Sequence, residues 1–190
     1  DADAFRSIDL DRRQALWEIS TKDRPSPIFS SRQSSGIGEE TVALPEMSLS
    51  EHVAHDYATT SLSLKAHPVS FVREQLEMLH ILSTSALDKS KDGDLVKVAG
   101  LILVRQRPET ASGVCFITIE DESGCANLVV FQKLFDEYRK EILQSQLLMV
   151  EGKLQREGEV IHVIVKRCFN LSKMLRKSVS IKKENGSIAP

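Results

Sequence analysis

The sequence predicts an α+β chain organised around a small closed barrel of five β-strands, with helical segments and a flexible linker before it. Between residues 95 and 168, runs of alternating apolar and polar residues are separated by glycine-containing turns, a pattern typical of short strands. Within this stretch, from 132 to 144, the apolar period changes from two to about 3.6, which indicates one amphipathic helix. The predicted order is therefore three strands, a helix and two strands.

Each predicted strand has its own signal, and the five ranges are 95–105, 114–121, 125–131, 147–154 and 160–168. Gly100 lies in the middle of the first strand, where a glycine usually marks a bend. A bent first strand that pairs in both halves of the barrel, with a helix between strands three and four, is the arrangement of an OB-fold. The alternation of the strands places Ile117, Leu128, Val150 and Val163 inside the barrel.

The barrel occupies residues 94–171 of the predicted organisation, and four segments surround it. Residues 1–21 are predicted helical, 22–47 form a linker rich in proline, serine and glycine, 48–93 are helical, and 172–190 form a basic, disordered tail. Ser48 and Glu51 fit a capping box that opens a helix through Tyr57. Pro68 fits the first turn of another helix. The apolar side of that helix is predicted to consist of Val69, Val72, Leu76 and Leu79.

Composition limits the class of protein. The 190 residues carry a net charge of -2, with 41% hydrophobic and 27% charged residues, and no apolar run approaches the roughly 20 residues needed to cross a bilayer. We expect no membrane partner. Because Cys115, Cys125 and Cys168 show no paired spacing, they are interpreted as packing residues in a reducing compartment, the cytoplasm.

Carboxylate pairs are the remaining candidates for chemistry. Glu39 and Glu40 lie in the predicted linker, and Asp121 and Glu122 lie in a predicted β-turn. Both pairs are interpreted as solvated charges. The sequence therefore predicts no catalytic residue, no metal site and no cofactor in this chain.

Four stretches carry a family resemblance: 10–17 (LDRRQALW), 56–68 (DYATTSLSLKAHP), 98–108 (VAGLILVRQRP) and 119–124 (IEDESG). Together they resemble the C-terminal region of bacterial C-family DNA polymerases, the relatives of the DNA polymerase III alpha subunit, and most closely the error-prone branch. In that family the L-x-x-H-P stretch, here residues 64–68, precedes the OB-fold. The resemblance implies that residues 1–21 end a helix-hairpin-helix region.

The resemblance also implies an activity for the full-length protein. It would be a DNA-directed DNA polymerase, a nucleotidyltransferase that acts in damage-induced mutagenesis and translesion synthesis. Such polymerases hold Mg²⁺ on carboxylates of a palm domain, which would lie upstream of residue 1, so we expect this fragment to be inactive alone.

The predicted barrel suggests a nucleic-acid site, because OB-folds bind single strands across strands two and three and the adjoining loops. The candidates are Arg105, Arg107, Phe116, Thr118, Asn127, Lys153 and Arg156. Phe116 would stack a base of single-stranded template, and the arginines would contact phosphates or stack on bases. The alternatives are that Phe116 covers a helix and the arginines are ordinary surface, or that the barrel docks a protein partner.

A second partner site is predicted in the linker. Clamp-binding peptides in bacteria end in an aliphatic residue and a phenylalanine, and Ile28 and Phe29 offer such a pair after Pro27. The expected partner is a sliding clamp, with an accessory mutagenesis protein assisting recruitment. The alternative is that both side chains pack the linker onto neighbouring helices.

Overall fold

The computed structural model describes Ile8 and residues 10–21, 44–158 and 160–181, and it divides the chain into two compact units, Asp1–Ser63 and Leu64–Pro190. The predicted clamp-binding residues Ile28 and Phe29 lie outside the described residues, as does the pair Glu39 and Glu40. Their roles stay predictions.

The described residues of the first unit include the helices α1 (Arg12–Thr21) and α2 (Leu49–Thr60). The predicted capping box opens α2, with the Ser48 side chain accepting from the Glu51 backbone N–H and the Glu51 carboxylate accepting from the Ser48 N–H over 2.9 Å. Arg12 of α1 is 4% exposed and its Nη2 donates to Asp56 Oδ1 of α2 over 2.6 Å. This buried ion pair joins the two helices.

The second unit begins with a 3₁₀ turn (Pro68–Val72) followed by α3 (Arg73–Met78). Val69, Val72 and Leu76 are fully buried, as predicted for the apolar side of a helix opened by Pro68. Leu79 is 49% exposed, so the prediction for this residue is wrong. The reason is that α3 ends at Met78 and the chain turns at His80, whose φ is 57°.

Five strands form a closed barrel in the order β1-β2-β3-β5-β4, with β3 and β5 parallel and the other pairs antiparallel. The strands are β1 (Leu95–Gln106), β2 (Cys115–Asp121), β3 (Gly124–Val130), β4 (Leu147–Glu157) and β5 (Val160–Asn170). This strand order, with helices between β3 and β4, is the predicted OB-fold, and the prediction of an α+β chain with helices before the barrel is confirmed.

The first strand closes the barrel because it pairs twice. Its first half, to Leu101, pairs with β4, and its second half pairs with β2. A Cβ at Gly100 would lie 2.7 Å from the carbonyl oxygen of Glu120, closer than packed atoms tolerate. Gly100 therefore permits the close approach of β1 and β2 at the bend.

The barrel core matches the predicted strand parity. Ile117, Leu128, Val150 and Val163 are each at most 1% exposed and belong to one apolar cluster. The residues that alternate with these face outward, as the exposed side chain of Asn127 on β3 shows. The predicted register of β2 and β3 is confirmed.

The helix predicted at 132–144 is two helices, α4 (Gln132–Glu137) and α5 (Arg139–Gln144). The chain breaks at Tyr138, whose φ and ψ of -104° and 26° lie outside the helical region. The prediction of one continuous helix is wrong. The predicted apolar stripe is nevertheless confirmed, because Phe135 and Ile142 are buried in the barrel core.

After the barrel, Ser172–Ile181 form helix α6, where the sequence predicts the start of a disordered tail. The hydroxyl of Ser172 accepts from the backbone N–H of Gln146 over 2.9 Å and anchors the first turn. Met174 and Leu175 pack against the apolar cluster that contains Val69, Val72 and Leu76. This packing explains the helix, since an apolar stripe with a surface to cover is stable as a helix.

Two further expectations can be compared with the structure. Cys115 and Cys168 are buried as predicted, but Cys125 is exposed, so its interpretation as a packing residue is wrong: it lies at outward parity at the start of β3. In the described ranges, every helix is too short or too polar to cross a bilayer.

Candidate nucleic-acid interface

The outer face of β2 and β3 carries an apolar row. Phe116 lies opposite Gln106 of β1 on one side and Val129 of β3 on the other, and Val129 is in turn paired with Ile164 of β5. Phe116 is 40% exposed and Val104, one row further along β1, is 43% exposed. The ring of Phe116 is therefore partly exposed on the outside of the barrel.

A polar row runs beside the apolar one. The hydroxyl of Thr118 donates to Asn127 Oδ1 over 3.1 Å, and Asn127 is paired with His162 of β5. The buried Nδ1 of His162 has no hydrogen-bond partner within the described part of the chain. Thr118, Asn127 and His162 thus place amide, hydroxyl and imidazole groups in register on three strands.

The arginines predicted to meet phosphates are engaged within the protein. Arg105 Nε donates to the carbonyl of Ile142 over 2.9 Å, and its Nη2 donates to the carbonyl of Ser145 over 2.5 Å. These carbonyls lie at the end of α5, where backbone acceptors lack partners within the helix. Burial lowers the pKa of the Arg105 guanidinium from its usual value. Arg105 caps a helix end.

The two other arginines also have local partners. The Arg107 guanidinium carbon lies 4.7 Å from the ring centroid of Phe135, a cation–π contact. Arg156 Nη2 donates to the carbonyls of Asp88 and Ser90 over 2.9 and 3.4 Å, and its backbone N–H donates to Asp92 Oδ1 over 2.9 Å. Arg156 therefore fixes the turn that precedes β1.

Lys153 lies in the fourth strand, as the predicted range 147–154 implies. It lies within β4, opposite Ile164 of β5 and Leu95 of β1, and it is exposed. The apolar row of Phe116, Val129 and Ile164 therefore continues across β5 to the ammonium-bearing side chain of Lys153. The structure thus places Phe116, Thr118 and Asn127 on adjoining outward positions of β2 and β3, and Lys153 beyond β5 on β4, while Arg105 and Arg156 donate to carbonyls of the protein.

Asp121 is a buried group that the sequence interpretation missed. It is 3% exposed, and its carboxylate accepts from Thr84 Oγ1 over 2.6 Å, from the Ser123 N–H over 2.8 Å and from Arg73 Nη2 over 2.9 Å. Burial raises the pKa of Asp121, but the hydrogen bonds from Thr84 and Ser123 outweigh burial and leave the pKa below its usual value.

The prediction that Asp121 and Glu122 are solvated charges is therefore wrong for Asp121. The available sequence signal was Ser123 and Gly124, two and three residues after Asp121, because an aspartate that accepts from backbone N–H groups at these positions is typical of a tight turn. Glu122 is exposed, and its carboxylate accepts from Arg73 as well. Among the described residues, no group of three or more His, Cys, Asp or Glu is placed to hold a metal ion.

Residues 96–171 match the tRNA anti-codon family, described as an OB-fold nucleic acid binding domain. The matched residues coincide with the barrel. The predicted OB-fold is therefore shown.

Relatives match most or all of the chain. An error-prone DNA polymerase 1 of Rhizobium meliloti (strain 1021) is 49% identical in an alignment of 181 positions that covers 92% of this chain and 16% of the relative. An error-prone DNA polymerase of Caulobacter vibrioides is 44% identical over 193 residues, covering all of this chain and 18% of the relative. The predicted resemblance is confirmed, and the chain spans less than a fifth of the length of these relatives.

Among solved structures, asparaginyl-tRNA synthetase from Pyrococcus horikoshii is similar, with a TM-score of 0.43 and 19% identity over 50% of this chain and 23% of the synthetase. This similarity carries no argument about the function of the chain.

Proposed function

We propose that this chain, homologous to a segment of the error-prone DNA polymerases, is a nucleic-acid-binding module that holds single-stranded template DNA across the outer face of β2 and β3. The observation that carries the proposal is the position of Phe116, which is 40% exposed on that face near the start of β2, between Gln106 and Val129. Base stacking on such a ring contributes about 1 to 3 kcal/mol per base.

The polar row supplies the second element of the proposed site. A base stacked on Phe116 would present its edge towards Thr118 and Asn127, which lie one row away on the same two strands. The side-chain amide of Asn127 carries both donor and acceptor groups, and every base edge offers complements to them. Such contacts position a strand without requiring a defined sequence.

The charge balance predicts weak binding. The predicted barrel region carries ten basic and eleven acidic residues, and neutralisation of phosphates dominates nucleic-acid affinity. Because Arg105 and Arg156 donate to backbone carbonyls, they are poorly placed to add phosphate contacts. Affinity at this face therefore depends on stacking more than on charge. As a module of a longer polymerase, a weak site suffices to guide a strand that is held elsewhere.

For the full-length protein we propose DNA synthesis past damaged template, with Mg²⁺ bound by a part of the polymerase outside this chain and with the cytoplasm as its location. These proposals rest on the names of the relatives and on the resemblance described above. Recruitment through Ile28 and Phe29 by a sliding clamp, or by an accessory mutagenesis protein, stays a prediction.

A second candidate function is supported by the apolar character of the same face. Leu103, Val104 and Phe116 are 51%, 43% and 40% exposed. Uncharged surface of this kind also suits a protein partner, because interface centres are depleted in charge and rich in aromatic residues. Protein docking differs from DNA binding in its weak dependence on salt.

The test is a fluorescence anisotropy titration of the 190-residue chain with a labelled single-stranded oligonucleotide at low salt. We expect Phe116→Ala to weaken binding about tenfold, a loss of about 1.4 kcal/mol. Phe169→Ala is the matched control, since Phe169 is 38% exposed and lies on β5 opposite Met149 of β4, away from this face. If the two variants bind equally well, Phe116 is not a stacking site.

A further inference from the structure

A groove of about 340 Å³ lies on the outside of β1, β4 and β5, where no sequence signal indicated a site. The residues that give the groove its chemistry are Leu95, Lys97, Glu151, Lys166 and Arg167. The groove does not include Phe116, Val129 or Ile164, and it borders the Phe116 row only where Leu95 is paired with Lys153.

Three of the charged residues form one row across the strands. Lys97 of β1 is opposite Glu151 of β4, and Glu151 is opposite Arg167 of β5. Lys97 Nζ lies 3.0 Å from Glu151 Oε1, and Arg167 Nη1 lies 3.9 Å from Glu151 Oε2. One carboxylate is therefore shared by two cations, each of which stays about half or more exposed, at 46% for Lys97 and 67% for Arg167.

A β-bulge adds a further cation. The pairing of β4 with β5 passes from Glu151 and Arg167 directly to Gly152 and Val165, so Lys166 is the extra residue of the bulge. Bulges redirect side chains, and here the successive residues Lys166 and Arg167 both line the groove. Within the described part of the chain, Lys166 has no hydrogen-bond or ion-pair partner. The groove therefore carries three cations against one carboxylate.

We propose that this groove binds the phosphate backbone of single-stranded nucleic acid. The net positive charge of the groove complements the negative charge of phosphate oxygens. The cations come from β1 and β5, so they are spread across an open surface on which a linear polyanion can lie. Leu95, 74% exposed beside the cations, can contact sugar carbon atoms. The proposal goes beyond the stacking face, because the groove recognises phosphates without recognising bases.

The test separates phosphate binding from base stacking by using an abasic deoxyribose-phosphate oligomer as the probe, alongside an oligothymidine of equal length. Binding of each to the 190-residue chain is followed by anisotropy between 20 and 200 mM salt, roughly the range over which counterion release is measured. The groove variant is Lys166→Gln with Arg167→Gln. The matched control is Lys133→Gln with Lys140→Gln, since both lysines are exposed on α4 and α5 and the charge change is equal.

For the abasic probe, we expect the groove variant to reduce the salt slope by about 1.4, or about 0.7 for each lost contact, while the control leaves it unchanged. Glu151→Gln removes the shared carboxylate and should tighten binding and steepen the slope. Tighter binding by Glu151→Gln cannot result from misfolding. This variant therefore controls for a loss of binding that is caused by loss of structure. Phe116→Ala should not change binding of the abasic probe.

Two results would overturn the proposal. One is that the unmodified chain does not bind the abasic probe at 20 mM salt, the lowest salt of the titration. The other is that the groove variant and the lysine control weaken binding equally, which would indicate a general effect of net charge. In either case the effect of Phe116→Ala on oligothymidine still decides the stacking proposal separately.

Discussion

Arg73 Nη2 donates to Asp121 Oδ2 over 2.9 Å, which joins the first residue of α3 to the last residue of β2. Arg73 also pairs with Glu122, and Asp121 accepts from Thr84, the first residue of a second 3₁₀ segment (Thr84–Lys89) that precedes β1. The segment before the barrel is therefore bound to the turn between β2 and β3 through one buried carboxylate. Desolvation disfavours the Asp121 anion, but the hydrogen bonds that its carboxylate accepts outweigh desolvation, so the pKa of Asp121 lies below its usual value.

We expect Asp121→Asn to lower the free energy of unfolding by about 2 kcal/mol at pH 7, because the charged acceptor of several hydrogen bonds is lost. The pKa of Asp121 lies below its value of about 3.9 in unfolded chains, so its contribution is present above about pH 4 and is lost as pH falls through the folded pKa. Urea denaturation at pH 7 and pH 3 measures both effects. If the free energy of unfolding depends equally on pH in the unmodified chain and in Asp121→Asn, Asp121 is not the titrating group.

The architecture was predictable because strand alternation and glycine turns are local signals, and the buried positions of Ile117 and Leu128 follow from parity alone. The helix-capping role of Arg105 and the bonds of Asp121 to Thr84 and Arg73 were not predictable. These partners lie 37 to 48 positions away in sequence and become neighbours only after the barrel closes. The break at Tyr138 was not predictable either, because the helical period of apolar residues continues through it. Residues of both short helices pack against the barrel core.

The strand register predicts unequal effects of neighbouring substitutions. Ile117→Ala should cost about 2 to 5 kcal/mol of stability, since Ile117 is 1% exposed in the barrel core. Thr118→Ala, on the outside of the same strand, should cost less than 1 kcal/mol, roughly the value of one exposed hydrogen bond. Chemical denaturation of both variants checks this order, and equal losses would contradict the register.

Arg105 should affect stability more than nucleic-acid binding. We expect Arg105→Ala to lose about 1 to 3 kcal/mol, because the carbonyls of Ile142 and Ser145 lose a charged donor. Arg107→Ala is the control and should lose about 0.5 to 1 kcal/mol, the value of an exposed cation–π contact. Thermal unfolding ranks the two, and a larger loss in the control would argue against the capping role.

Thiol exposure gives an independent check of the barrel. In the native protein a maleimide should label Cys125, which is exposed, and leave Cys115 and Cys168 unmodified. Burial raises the pKa of Cys168 to about 12, which further suppresses its reactivity. Mass spectrometry should show one label before denaturation and three after it. Rapid labelling of Cys168 in the native state would contradict its position in the core.

The most direct measurement of the proposed function follows the backbone amides of the chain by NMR during titration with oligothymidine at low salt. If single-stranded DNA binds across β2 and β3, the largest saturable shifts on the two strands should occur at Phe116, Thr118, Asn127 and Val129. Core neighbours such as Leu128 should shift less. Saturating oligonucleotide that leaves these four amides unchanged would contradict the proposed face.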